Sequence, residues 1–296
     1  MATQIKQTWD KHKRGLWPIA FLLPALILFS LYVLYPILQS LLLSLFEWDG
    51  MGEKVFVGLA HYKELLEDDQ FWVSLKNNIL WLVFFLLAPI IGLFLALYLN
   101  QNVMGIRAVK SLFFFPFVIS QVVVGLVFSW FYDPNYGLLN QLLGLFGVSP
   151  IAILAKESLV TFGIIAAGLW PQISYCMILY LTGLTGLDKE QIEAARIDAA
   201  SGFSLLWHVI LPQLKPVTFL AVIVTVIGAL RSFDLVAIMT DGGPYGTSSV
   251  LAYFMYEQTI FNYRLGYGAA IATILFLIMN IYIAFFLWRM LQAGKN

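Results

Sequence analysis

The sequence predicts an all-α integral membrane protein with about six transmembrane helices, and three observations carry that expectation. Hydrophobic residues make up 60% of the chain and charged residues only 11%, well outside the composition of water-soluble domains. The apolar residues gather into stretches long enough to cross a bilayer, which takes roughly 20 residues of helix. No segment shows the alternation of a β-barrel strand, so helices must satisfy the backbone inside lipid.

The first expected span covers residues 17–46 and follows the basic run Lys11-His-Lys-Arg14. Such a run can open a signal peptide, but the apolar stretch continues far beyond one and has no small-residue cleavage site. It is therefore expected to be retained, with residues 1–16 as a cytoplasmic segment and 17–296 as a single transmembrane domain. The remaining spans are expected at 71–99, 109–132, 158–181, 217–240 and 267–291. Pro24, Pro36, Pro89, Pro116 and Pro171 fall inside spans, where a proline bends the helix and frees a carbonyl that neighbours or a water-lined cavity must accept. The connecting loops are too short to hold a separate soluble domain.

Charge is distributed unequally between the two sides. One side collects Lys6, Lys11, Lys13, Arg14, Arg107, Lys110, Lys189, Arg196, Lys215, Arg289 and Lys295; the other keeps Lys54, Lys63, Lys76, Lys156 and Arg264. The positive-inside rule then places both termini in the cytoplasm, and the acidic loop with Glu64, Glu67, Asp68 and Asp69 outside.

Several chemistries have no residues to support them. There is no G-x-x-x-x-G-K-[ST] loop and no H-E-x-x-H, and His12, His61 and His208 fall in segments that cannot converge on one metal. The single cysteine, Cys176, lies within a span and excludes a disulfide framework. The chain is expected to hold no cofactor or metal and to catalyse no reaction. Any nucleotide energy must come from another subunit, and nucleic acid is not an expected partner.

One polar segment interrupts the apolar bulk, from Leu187 to Gly202. Asp188 and Gln191 have capping-box spacing, small residues fill the turns, and Gly202 is placed to stop the helix, so a polar helix is expected over about 188–202. A short helix of this kind between two spans suits a plug that enters a groove on a soluble partner.

Within it, Glu193-Ala-Ala-Arg-Ile-Asp-Ala-Ala-Ser-Gly-Phe-Ser-Leu-Leu-Trp-His-Val-Ile-Leu-Pro212 resembles the EAA loop of ABC importer permeases. The family pattern is Glu-Ala-Ala, three residues, Gly, nine residues, Ile-x-Leu-Pro. Asp198, Leu211, Pro212 and Pro216 match; Ala199 stands where the family usually has Gly, with Gly202 able to serve instead, and Val209 replaces Ile. Two further stretches are similar to the carbohydrate-uptake branch, which includes the larger permease of maltose transporters. One runs from Arg107 through Pro116 and Trp130 to Asn140; the other is Phe233–Pro244 with Gly266–Ala270 after it. The large inserted outer domain and extra N-terminal spans of the maltose permease are not expected here. The Thr-x-Gly-Gly-Pro run favours the first permease of a heterodimeric pair.

The resemblance implies a multi-pass permease in the bacterial cytoplasmic (inner) membrane. It would pair with a homologous second permease, two cytoplasmic ATPase subunits that bind ATP and Mg, and an external solute-binding protein, and would pass a sugar or sugar derivative inward. Glu193, Ala194, Ala195, Arg196, Asp198 and Gly202 would form the ATPase-coupling segment.

The substrate candidates lie in the fourth and fifth spans. Trp170-Pro-Gln-Ile-Ser-Tyr175 sets an aromatic ring, an amide and a phenol around an expected helix break at Pro171, a mixture that suits sugar ring faces and hydroxyls. By resemblance, Gln172, Tyr175, Thr225, Gly228, Ala229 and Ser232 fall along a substrate cavity. Arg231 and Asp234 lie three apart on one expected helix face, either satisfying each other or contacting substrate. Gln121 and Asn280 are expected to make interhelical hydrogen bonds. The rival reading is an ion-gradient-driven secondary transporter using Arg231 and Asp234; such proteins commonly carry internal repeats, and none is visible.

Overall fold

The structure, a computed structural model, describes residues 21–101 and 103–293; the expected cytoplasmic segment 1–16 and the start of the first span lie outside the described residues. The described residues are all-α apart from one tiny hairpin. Helix α1 (Phe21–Leu43) has no buried residue in its apolar window, and its second half, from Tyr35 onward, packs against the last long helix of the chain. Its Ser30–Leu34 stretch takes π-helical spacing directly ahead of Pro36, which lacks the N–H that regular α-helical bonding would need. Strands β1 (Phe46–Glu47) and β2 (Val55–Phe56) pair antiparallel, with Phe46 opposite Phe56.

Helix α2 (Ala60–Glu67) leads to α3 (Asp69–Phe85), whose first turn is capped by the Asp68 carboxylate accepting from the Gln70 N–H at 2.8 Å. Helix α4 (Leu87–Leu99) continues the same span after a one-residue interruption at Leu86, close before Pro89. Arg264 donates two bonds of 2.7 and 2.8 Å to Glu64, so the two loops predicted to share one side of the membrane do meet.

The third expected span is a bent pair: α5 (Ile106–Val118) and α6 (Gln121–Phe131) meet at 99°. Pro116 sits in the last turn of α5, and the Ser120 hydroxyl restarts the chain by accepting from Val123 N–H at 3.4 Å. A short α7 (Leu138–Leu145) precedes α8 (Val160–Thr185), the central helix. The break expected at Pro171 is not there: α8 runs on unbroken, because a proline removes one N–H without obliging the helix to end.

Next come the polar helix α9 (Lys189–Ile197), α10 (Gly202–Gln213) and α11 (Lys215–Leu230), the last two meeting at 73°. The fifth span, expected to run unbroken from 217 to 240, stops at Leu230 and resumes as α12 (Asp234–Thr240). Ser232 accounts for the stop by donating its hydroxyl to the Ala229 carbonyl at 2.8 Å, and Asp234 begins the next helix where an acidic residue complements the dipole. Helix α13 (Leu251–Tyr256) and the long α14 (Leu265–Ala293) complete the fold. Asn280 bonds the Phe276 carbonyl of its own helix at 2.8 Å rather than a neighbouring helix as expected.

Two devices hold this arrangement. The loop between α12 and α13 is pinned to α3: Asn77 donates to the Thr247 and Ser249 carbonyls at 2.7 Å each, and Asn78 accepts from Leu251 N–H at 2.8 Å. Irregular backbone inside a membrane protein needs such partners, since lipid offers none. The second device is close helix approach. A Cβ on Gly92 of α4 would stand 2.7 Å from Cys176 Cβ and 2.8 Å from Met177 N of α8.

Gly92→Ala should therefore force α4 off α8 and destabilise the chain by about 1–3 kcal/mol, the usual cost of overpacking. A lowered unfolding midpoint in detergent checks this, and an unchanged midpoint refutes it. The polar helix gives a second expectation of opposite sign. It ends at Ile197, short of Gly202, because Ala199 itself takes the left-handed conformation (φ 64°) while Gly202 (φ 52°) opens α10. Ala199→Gly removes the Cβ penalty of that conformation, about 1–2 kcal/mol per residue. Slower proteolysis of the segment 188–202 in the folded protein would show it.

Candidate functional site

A cavity of about 520 Å³ opens between α8 and α11. Gly168, Pro171, Gln172 and Tyr175 line it from α8, and Val224, Ile227 and Gly228 from α11. Arg231, Ser232 and Phe233 of the break contribute next, then Asp234 and Leu235 of α12. The helix interruption thus turns a would-be lipid-spanning segment into a polar rim.

Gln172 is held from behind. Its Nε2 donates to Thr225 Oγ1 at 2.9 Å and lies 3.8 Å from Cys176 Sγ, and Cys176 Sγ is 3.4 Å from Thr225 Oγ1. The amide N–H is therefore committed to the protein, and Oε1 is the end left near Gly228 on the cavity side. Tyr175 stacks on Phe117 of α5 with ring centroids 4.9 Å apart and planes at 23°, which fixes the phenol ring while leaving its hydroxyl free among the described groups.

The structure redistributes the sequence candidates. Gln172, Tyr175, Gly228, Arg231, Ser232 and Asp234 come together. Thr225 is fully buried behind Gln172, and Ala229 is fully buried too, so neither lines the cavity. Trp170 also lies off it, against Phe128 of α6 at 5.8 Å. Arg231 and Asp234 do not pair: among the described residues the ion pairs are Arg264–Glu64 and His61–Glu64. The break between α11 and α12 separates the two groups, and the helical spacing that would have joined them does not exist.

Sequence reasoning missed much of the lining, Phe117 of α5 and three residues from outside the fourth and fifth spans' neighbourhood among it. Trp81 and Phe85 come from α3, and Gln121, expected to bond another helix, opens α6 at the cavity with no hydrogen bond among the described residues. The Trp81 indole N–H is buried without a protein acceptor. A signal for Trp81 was present, since it lies one turn beyond the adjacent intramembrane amides Asn77 and Asn78.

The second site is the segment around α9. Glu193, Ala194, Arg196 and Asp198 are all exposed, and no residue of α9 is buried. Its capping box is only half formed: the Asp188 carboxylate accepts from Glu190 and Gln191 N–H at 3.0 and 3.4 Å, but Gln191 does not return the bond. Gln213 takes that role, its Oε1 accepting from Asp188 N–H at 2.9 Å. Beyond the helix, Phe203 and Trp207 of α10 stack in the open, 5.7 Å apart. This exposed apolar pair was not anticipated.

Known proteins share this architecture. Residues 88–295 match the family model described as "Binding-protein-dependent transport system inner membrane component". A probable ABC transporter permease protein of Pyrococcus horikoshii is 37% identical over 263 residues, covering 88% of this chain and 90% of that protein. The trehalose/maltose transport system permease protein MalF of Thermococcus litoralis is 31% identical, covering 91% of this chain and 92% of its own length. A chain of the bacterial alginate ABC transporter, solved in complex with an alginate pentasaccharide-bound periplasmic protein, superposes with a TM-score of 0.81 at 21% identity, covering 94% of this chain and 95% of that one. With a polar helix carrying the EAA spacing between apolar spans, and a family match across two thirds of its length, the chain belongs to the binding-protein-dependent inner-membrane components, the permeases of ABC transporters.

Proposed function

We propose that this permease passes a sugar or sugar derivative from an external solute-binding protein into the cytoplasm through the cavity between α8 and α11. The observation that carries the reading is the lining itself. The Phe117–Tyr175 stack offers apolar ring faces, while Gln172 Oε1, Ser232, Arg231 and Asp234 offer acceptors and donors suited to hydroxyl groups. The transported class named for the Thermococcus litoralis relative, trehalose/maltose, supports it.

The chain works within an assembly containing a homologous second permease and two ATPase subunits. ATP and Mg are bound by those ATPases, and this chain holds no cofactor and performs no catalysis. Glu193, Ala194, Ala195, Arg196 and Asp198 present the docking face, small enough for close approach and charged at its rim; Gly202 belongs to the start of α10. Closure of the ATPases on ATP moves the docked segment as a lever and rocks the spans between outward- and inward-facing states. Both termini and α9 face the cytoplasm, in keeping with the lysine and arginine asymmetry.

Cysteines introduced at Asp69 and at Lys189 should react with an impermeant reagent from opposite faces of the membrane; reaction from one face overturns the orientation. In vesicles containing the whole assembly, uptake should require ATP and the binding protein and should survive an uncoupler, which an ion-driven carrier would not. Gln172→Leu removes a cavity acceptor and the stronger of the two bonds at Thr225, leaving only the contact to Cys176 Sγ. An unpaired buried polar group costs about 1–3 kcal/mol, so uptake should fall on the order of tenfold. Normal uptake by both Gln172→Leu and Tyr175→Phe would move the site elsewhere.

A further inference from the structure

The coupling segment has a weak mechanical link to the membrane helices through its own backbone. At Ala199 (φ 64°) α9 is closed off by its own bonds, the Ala199 and Ala200 N–H groups donating to the Arg196 and Ala195 carbonyls at 3.1 and 2.9 Å; the chain then passes an extended Ser201 (φ −144°) and Gly202 (φ 52°), where no backbone hydrogen bond among the described residues joins α9 to α10. No residue of α9 is buried and only Ile192 and Ala195 are half-buried, so apolar packing holds it lightly.

One side chain bridges the gap. Gln213, the last residue of α10, accepts from Asp188 N–H through Oε1 at 2.9 Å and donates through Nε2 to Gln191 Oε1 at 3.3 Å. Among the described residues, no other side-chain hydrogen bond joins α9 and its cap to another helix. The next residue, Leu214, is fully buried at the 73° joint with α11, in the cluster that holds Tyr180 and Leu184 of α8. A Cβ on Gly183 would come within 3.0 Å of Leu214 Cδ2, so the joint is closely packed. From that joint α11 runs about 24 Å, at 1.5 Å per residue, to the cavity rim at Arg231.

We propose that Gln213 is a positioning residue, a two-bond latch that fixes the coupling helix to the α10–α11 joint so that displacement of α9 reaches the cavity. The latch rests on the assignment of α9 to ATPase docking. Gln213 touches neither substrate nor nucleotide. Its two bonds meet the cap and the first turn of α9, so tilt of that helix is converted into movement of the joint rather than absorbed in the chain at Ser201 and Gly202.

The test uses the intact assembly with its copurifying ATPases, carrying Val224→Cys as a cavity reporter, and compares thiol labelling with and without MgATP. The parent should show an ATP-dependent change in labelling rate of about fivefold or more, the scale of a coupling between sites. Gln213→Ala should lose that change while retaining its ATPase subunits and their hydrolysis. Gln191→Ala removes one of the two bonds; it should lose part of the change and add nothing to Gln213→Ala. A persisting ATP-dependent change in Gln213→Ala overturns the latch, and so does a parallel loss of labelling response, ATPase retention and hydrolysis, which marks Gln213 as merely structural. Failure of the docking assignment looks different: Glu193→Arg would then keep its ATPases and its full response.

Discussion

Inside a bilayer a backbone N–H or carbonyl without a protein partner has no water to turn to, and the whole structure answers to that constraint. Regular helix is the default because it closes its own bonds. Several departures from helix in the apolar region are matched by a named side chain. Ser232 takes the Ala229 carbonyl where α11 ends, Ser120 restarts α6, and Asn77 and Asn78 of α3 hold the loop before α13. Departures from helix are costly, so they mark the places where a cavity or a joint is required.

The cavity follows from two such departures placed side by side. Ending α11 at Leu230 and resuming at Asp234 gathers Arg231, Ser232 and Asp234 at one rim, and ending α5 at Val118 brings Phe117 against Tyr175. Glycines at the helix crossings, Gly92 against α8 and Gly168 beneath Trp81 and Leu235, let the surrounding helices approach closely. The Thr225–Gln172–Cys176 group then decides which end of the Gln172 amide meets the cavity.

The coupling segment answers to a different solvent. It is polar, exposed and held to the bundle by two amide hydrogen bonds at Gln213, with the buried Leu214 joint behind them. A docking element on the aqueous side can be lightly packed because its partner supplies the missing surface, whereas the joint that receives its motion must be rigid. The stacked pair Phe203 and Trp207 lies between the two, apolar yet exposed.

Composition and the lengths of the apolar runs were enough for the fold class, because the hydrophobic length of a bilayer limits what a span can be. The polar helix at 189–197 and its Asp188 cap were legible too, since a capping carboxylate and a polar run between spans are local signals. The position where the family pattern carries glycine proved to be the left-handed one even though alanine occupies it. The interruption at 231–233, the continuity of α8 through Pro171, the burial of Thr225 and the entry of Trp81 and Gln121 into the cavity were decided only in three dimensions. Each depends on which helix lies opposite, and a hydroxyl or amide in one sequence window does not reveal whether its partner is its own helix, a neighbour 53 residues away as for Gln172 and Thr225, or the cavity. Local hydrogen bonding and hydrophobic length are written along the chain, whereas the pairing of polar groups across helices belongs to packing.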